Sequence, residues 1–491
     1  MGSLPSRLET AFVGITCLAA LYASGDGLVA LSLAVLWFIW KALPVDGMPP
    51  VLPLALSFQW FQAAGGLIYC VAFDRDLPAL HVPEYRAMVL IGLGCVMAVT
   101  IGLMLGTRIV GVQAYPTDAP SIFPTNLLIT AYAALTVFEG TINQLAWRYP
   151  MLTQAILAIS LIRLGVLYLL LRRFMEPELR LAPFGALLAL EIMLGFTGFF
   201  ASFREGVAIT AMVLYQGFKW RRPGHALAMA VLVTTAALTG IVWMSVRSQF
   251  RAEQVENTVL AQSRSARFER VSELVAGWFR SDDGNAGYDV DFLIDRMWAI
   301  YYPAFALARV PSVLPHTNGA FVVGALRHVV TPRFLFPNKP ELISNSDKVR
   351  QYSGVWVAGR DEGTSIAFGY AIEAYVDYGR PAMFVPVLTY GTFMGMVFAL
   401  FTRWIRLRDF GVPLLTVVFW LSLYLFEESW AKMLGDNITM FLYLGGVVFM
   451  LERMARSGRL GQLGAVTDGA EAIELYPAVL TPSPRLQSRT Q

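Results

Sequence analysis

The chain has 491 residues, 56% of them hydrophobic and only 15% charged, with a mean hydropathy of +0.55. Soluble globular chains carry roughly 25% charged residues, so the composition excludes an ordinary soluble domain and indicates an all-α polytopic integral membrane protein. A formal net charge of +3, with no basic tract or aromatic–basic motif, argues against a nucleic-acid partner.

A membrane-spanning helix needs about 20 predominantly apolar residues. Twelve segments fit that pattern, at about 8–24, 27–43, 50–72, 86–107, 123–141, 152–171, 183–201, 205–220, 225–246, 382–402, 411–427 and 437–452. The first has no small-residue cleavage pattern and reads as a retained span. Ser24-Gly25-Asp26 makes a tight turn between the first two. Lys and Arg gather in alternate loops, at Lys41, Arg108, Arg172, Arg173, Lys219, Arg221, Arg222, Arg403, Arg406 and Arg408. By the positive-inside rule both termini are then cytoplasmic, and the long segment between the ninth and tenth spans lies on the far side. The chain divides into a membrane bundle over 1–246, an extracytoplasmic region over 247–381, further spans over 382–452 and a polar tail over 453–491, expected to be disordered.

A segment as long as 247–381 is more than a connector. Arg247–Arg280 reads as a charged helix extending the ninth span, and the polar run 281–287 breaks it. Asp291–Arg309, apolar but carrying Asp295 and Arg296, reads as an amphipathic helix on the membrane surface. Next comes a stretch stiffened by Pro332, Pro337 and Pro340, which holds Arg333 and Lys339 on a rigid frame. Such a frame suits an anionic group; the alternative is an ordered loop with solvated cations.

Charged residues inside spans are costly and are paired or functional. Arg163, mid-way in the sixth span, is expected to pair with Glu191 or Glu139. Arg204 lies at the mouth between two spans, where it either reaches lipid headgroups or faces a diphosphate. Glu427, Glu428 and Asp436 crowd the end of the eleventh span as candidate bases or sugar binders, or as solvated carboxylates. Cys17, Cys70 and Cys95 lie in or beside apolar runs and indicate no disulfide framework, and the four His have no metal-ligand spacing. No metal and no cofactor are expected. No phosphate-binding loop, dinucleotide fingerprint or nucleophile elbow occurs, which excludes ATP-driven transport within this chain.

Two places resemble the bacterial oligosaccharide-repeat-unit polymerases, the Wzy-type O-antigen and exopolysaccharide polymerase family. Ser202-Phe203-Arg204-Glu205-Gly206 is similar to a Ser-Arg-Gly signature shared with O-antigen ligases, with Phe203 inserted. Pro332-Arg333 through Pro337-Asn338-Lys339-Pro340, followed by Glu373-Ala374-Tyr375 and Tyr378-Gly379, is similar to the signature of the exopolysaccharide branch, with Asp377-Tyr378-Gly379 where Asn-Phe-Gly commonly stands. The resemblance implies a glycosyltransferase of the bacterial inner membrane that polymerises undecaprenyl-diphosphate-linked oligosaccharides at its outer face, without nucleotide sugar. Further partners would be a chain-length regulator or export complex. Leaving-group charge calls for preorganised cations, so the resemblance assigns Arg204, Arg333, Lys339 and Arg360 to the diphosphate. It assigns Glu373, then His328, to proton abstraction, with Asp361 and Glu362 behind them. Tyr370, Tyr375 and Tyr378 are candidates for stacking on sugars, or for interfacial anchoring. A ligase using the same mouth, a flippase for lipid-linked glycan and a non-enzymatic scaffold of an export complex are the alternatives.

Overall fold

A computed structural model describes residues 7–43, 47–114, 123–148, 153–175, 178–196, 203–219, 221–256, 264–280, 286–331, 336, 338–359 and 365–456. The first helices are α1 (Arg7–Ser24), α2 (Gly27–Ala42), α3 (Val51–Trp60), α4 (Gly66–Phe73), α5 (Tyr85–Val110), α6 (Thr125–Arg148) and α7 (Thr153–Met175). Then come α8 (Leu181–Phe196), α9 (Phe203–Gly217), α10 (Pro223–Glu256), α11 (Arg264–Arg280), α12 (Ala286–Met297) and α13 (Tyr301–Arg309). The last six are α14 (Val322–Val330), α15 (Asn345–Ser353), α16 (Tyr370–Tyr378), α17 (Phe384–Trp404), α18 (Arg408–Leu423) and α19 (Trp430–Arg456). No strand occurs among the described residues. Each of the twelve apolar segments overlaps a helix among the described residues. Five stretches are long and apolar enough to cross a membrane: Val51–Phe73, Tyr85–Val110, Pro223–Arg247, Phe384–Trp404 and Trp430–Met454. The chain is thus an all-α protein of membrane type.

The tightest packing joins α5 to α17 through glycines spaced four apart on each helix. A Cβ on Gly102 would lie 2.6 Å from the Leu388 carbonyl oxygen, and one on Gly106 2.1 Å from that of Thr392. The relation is reciprocal, since Cβ atoms on Gly391 and Gly395 would lie 2.6 and 2.4 Å from the carbonyls of Val99 and Leu103. Small residues at this spacing let backbones touch, which is how helices associate where no hydrophobic driving force separates them from lipid.

Between α3 and α4 the helix widens into a π-turn at Phe61–Gly65. A π-turn shifts the hydrogen-bond ladder and frees carbonyls for other partners. Here the Gln62 carbonyl accepts from Ala299 N at 2.9 Å, and the Ala63 carbonyl from Trp298 Nε1 at 3.1 Å. Trp298, 1% exposed, fits because residue 66 is glycine; a Cβ there would sit 2.1 Å from the indole. This docking corrects the reading of Asp291–Arg309 as one surface helix. The run breaks at Trp298–Ile300 into α12 and α13, and α13 buries Pro303, Ala304, Ala306 and Leu307. Its apolar residues face protein, and periodicity does not distinguish a protein partner from lipid.

Among the described residues the charged extension of the ninth span comprises the end of α10 and α11. Arg270 of α11 grips Glu253 of α10 through Nε and a terminal nitrogen, at 2.6 and 2.7 Å. The break at 281–287 lies largely outside the described residues, and the tail from 457 onward entirely so.

Candidate functional site

One turn, Tyr424–Ser429 between α18 and α19, gathers charged side chains from three directions. Two buried glutamines of α3 and the π-turn, Gln59 and Gln62, hold its start. Gln59 donates Nε2 to the Leu423 carbonyl. Gln62 donates Nε2 to the Tyr424 carbonyl at 2.8 Å and accepts from Phe426 N at 3.2 Å. These bonds satisfy the last carbonyls of α18, which a helix end otherwise leaves without partners. The far end is held by α16: Trp430 N donates to Glu373 Oε2 at 2.9 Å, and Trp430 Nε1 to the Tyr370 carbonyl at 3.0 Å. Close approach of the two segments requires Gly369, whose φ of +91° favours glycine and whose Cβ would lie 2.6 Å from the Phe426 carbonyl oxygen.

On this fixed turn converge two guanidinium groups. Arg204, in the first turn of α9, is exposed and has its guanidinium carbon 5.6 Å from the Tyr424 ring centroid, within cation–π reach. Arg296 of α12 donates to both oxygens of Glu427, at 3.1 and 3.4 Å. The Glu427 carboxylate holds Arg296 more firmly charged than usual, against the opposing field of Arg204. Glu205, next to Arg204, has a buried Oε2 with no hydrogen-bond partner. Glu428 pairs with Lys432 at 3.1 Å. Its burial, with further help from Asp436 and Glu427, raises its affinity for a proton despite Lys432. The arrangement brings to one turn an exposed guanidinium, Arg204, able to contact an anion, a second guanidinium engaged by Glu427, and a carboxyl of raised proton affinity.

Behind Arg204 lies the expected ion pair, built from both candidate carboxylates. Arg163 contacts Glu139 at 2.6 Å and also Glu191, which in turn accepts from the Tyr132 hydroxyl. A Cβ on Gly206 would meet the Glu191 side chain at 3.0 Å, so this buried cluster abuts the second turn-forming residue after Arg204.

The other residues singled out in the sequence occupy different settings. Glu373 is 1% exposed, with Lys348 Nζ at 2.7 Å on Oε1 and Trp430 N on Oε2, so both oxygens are engaged. Tyr370, also 1% exposed, donates to Gln59 Oε1 at 2.7 Å and meets Phe426 and Trp430 ring to ring. Tyr375 is buried and donates to the Val310 carbonyl at 2.8 Å. Tyr378 is half-buried beside Gly319. Lys339 Nζ donates to the carbonyls of His328 and Thr331, at 2.6 and 2.9 Å, at the end of α14. Arg333 and Arg360, like Ser202, Pro332, Pro337, Asp361 and Glu362, lie outside the described residues. Arg204, Glu427, Glu428 and, through Trp430, Glu373 are thus brought to one turn, whereas Lys339 and His328 meet at another place.

Arg296, Tyr424, Gln59 and Gln62 had not been singled out for this site. The glutamines carried a signal, two amides three residues apart inside an apolar span, where polar groups need partners. A cavity of about 420 Å³ opens beside the same turn, lined by Ser344, Ser346, Lys348, Ser365, Ser429 and Lys432 among others. Among the described residues no group of three His, Cys, Asp or Glu side chains is arranged to hold a metal ion. Comparison with family models, with curated proteins and with solved structures gave no match.

Proposed function

We propose that the protein transfers glycan from a lipid diphosphate carrier to an acceptor hydroxyl, polymerising undecaprenyl-diphosphate-linked repeat units at the outer face of the bacterial cytoplasmic membrane. The observation that carries this reading is the meeting of Arg204 and Arg296, from helices far apart in sequence, at one acidic turn. Glu427 already pairs with Arg296, so a dianionic leaving group would pair with Arg204 and compete with Glu427 for Arg296. Arg is suited to bidentate phosphate contacts.

In this reaction the acceptor oxygen attacks the anomeric carbon. The bond from that carbon to the diphosphate oxygen breaks, and its electron pair stays on the diphosphate. The hydroxyl proton passes to a carboxylate. Glu428 fits that last role through its raised proton affinity, since a base works best with a pKa near the working pH. Glu373 then acts as a positioning residue that holds the turn through Trp430 N. Arg333 and Arg360 remain further cations of the same proposal.

The test replaces Arg204 and Arg296 by Ala and by Lys in cells lacking the native copy, reading polymer, lipid-linked repeat units and protein level together. Loss of one preorganised charge contact costs about 100- to 1000-fold in rate. Normally expressed Arg204→Ala should therefore lose polymer and accumulate single lipid-linked repeats on the outer face, with partial recovery in Arg204→Lys. Accumulation on the inner face would instead point to a flippase. Unchanged polymer in both Ala variants would remove the turn from consideration.

A further inference from the structure

The short helix α14 presents Val323, Leu326 and Val330, 56, 52 and 62% exposed, on one face at spacings of three and four residues. An adjoining face packs on α19, where a Cβ on Gly435 would lie 3.7 Å from Val329 Cγ2. Gly435 begins a stripe that continues along α19 at spacings of three, four and seven residues through Ile438, Leu442 and Phe449, which are 39, 72 and 59% exposed. α19 is one of the five helices fit to cross a membrane. The α14 contact therefore stands at the head of a stripe that is bare and apolar within a spanning helix.

The level of that contact follows from helix geometry. Gly435 is about 7.5 Å along α19 from Trp430, and the 25-residue stretch Trp430–Met454 is about 37 Å long at 1.5 Å per residue. It thus exceeds a hydrocarbon core of about 30 Å, which puts Gly435 near the margin of that core.

Both ends of α14 are satisfied by side chains from elsewhere. Asp377 accepts from Phe321 N at 3.0 Å and Val322 N at 2.7 Å. Lys339 supplies the donors at the carbonyl end. Ends capped in this way need no water to complete them, so the helix can lie at the edge of the hydrocarbon core. Arg327, exposed at the edge of the apolar face, is long enough to carry its charge to headgroup phosphates.

We propose that α14 is embedded in the membrane interface, with Val323, Leu326 and Val330 among acyl chains and Arg327 at the level of the phosphates. The inference stands apart from the transfer reaction, and a failure of either leaves the other intact.

The test is spin-label accessibility of the full chain in phosphatidylglycerol–phosphatidylcholine vesicles. Single cysteines go in at Val323, Leu326 and Val330, with Leu442→Cys as the lipid reference and Gln351→Cys as the water reference. The background carries Cys17→Ala; Cys70 and Cys95 are buried, and the background itself must take up no label. The expected result is oxygen collision several-fold above that at position 351 at all three sites, with a water-soluble nickel chelate excluded, as at position 442. Chelate collision like that at position 351 would overturn the proposal. Shielding from both reagents would overturn it too, by showing a protein partner on this face.

Discussion

Lys348 and Glu373 form an ion pair whose side chains are only 7 and 1% exposed. Removing one member of such a pair strands a buried charge and costs about 3–5 kcal/mol, whereas replacing both with apolar groups is often tolerated. Lys348→Met should therefore lower the thermal midpoint in detergent sharply, and Lys348→Met with Glu373→Gln, which removes the charge but keeps an acceptor for Trp430 N, should recover much of the loss. If the single and double variants melt alike, an unpaired buried charge is not what the single variant costs. Glu428 makes a prediction of a different kind. Burial raises its proton affinity, so the stability it contributes is complete below the ordinary carboxylate range and is lost as pH climbs through the raised value. As the proposed base it must be ionised, so turnover should fall as pH drops through that same value, and Glu428→Gln should abolish this limb of the pH–rate profile. At this scale the sequence announces charges in apolar runs: Arg163 and its two carboxylates were legible because an unpaired charge there is untenable. The partners of Glu373 were not, since Lys348 and Trp430 lie 25 and 57 residues away and no local pattern joins them.

Between elements, the α5–α17 contact is made by backbone. At Gly106 a new side chain would meet the Thr392 carbonyl oxygen and Met396 N, atoms that cannot swing aside. Overpacking of an ordinary core costs about 1–3 kcal/mol, and this site should exceed that range. Gly106→Val is expected to abolish recovery of monodisperse protein in size-exclusion chromatography, while Gly185→Val, with open space around its Cβ, serves as a tolerated control of similar helix propensity. Equal recovery of the two would show that the close pair is dispensable. Hydropathy located every long apolar helix, because length and composition suffice for that. It did not separate lipid-facing from protein-facing runs, which is why α12 and α13 were read as one surface helix. The glycine spacing that fixes α5 on α17 is present in the chain at Gly102, Gly106, Gly391 and Gly395, and becomes informative only once the two spans are known to be neighbours.

The molecule as a whole places the turn at Tyr424–Ser429, the Lys348–Glu373 pair and α12 to α16 in one region that shares its buried core with the apolar bundle. Loop charges predict that this region is extracytoplasmic. Trp356→Cys, at a 70% exposed position, should then react with a membrane-impermeant maleimide added to spheroplasts, while Arg453→Cys should react only after permeabilisation. The reverse pattern would invert the orientation and remove the outer-face reaction with it. The glycine contact between α5 and α17 also limits how such a molecule can move. Ordinary helix pairs slide by small rotamer changes in the side chains between them. Around Gly102, Gly106, Gly391 and Gly395 none lie between, and each of these glycines sits against a particular peptide group, so the pair has discrete stops. The next equivalent stop is four residues along, about 6 Å at 1.5 Å per residue, and reaching it means lifting the backbones apart. Any large rearrangement of the bundle therefore falls to helices joined through side chains, with α5 and α17 as the stationary frame.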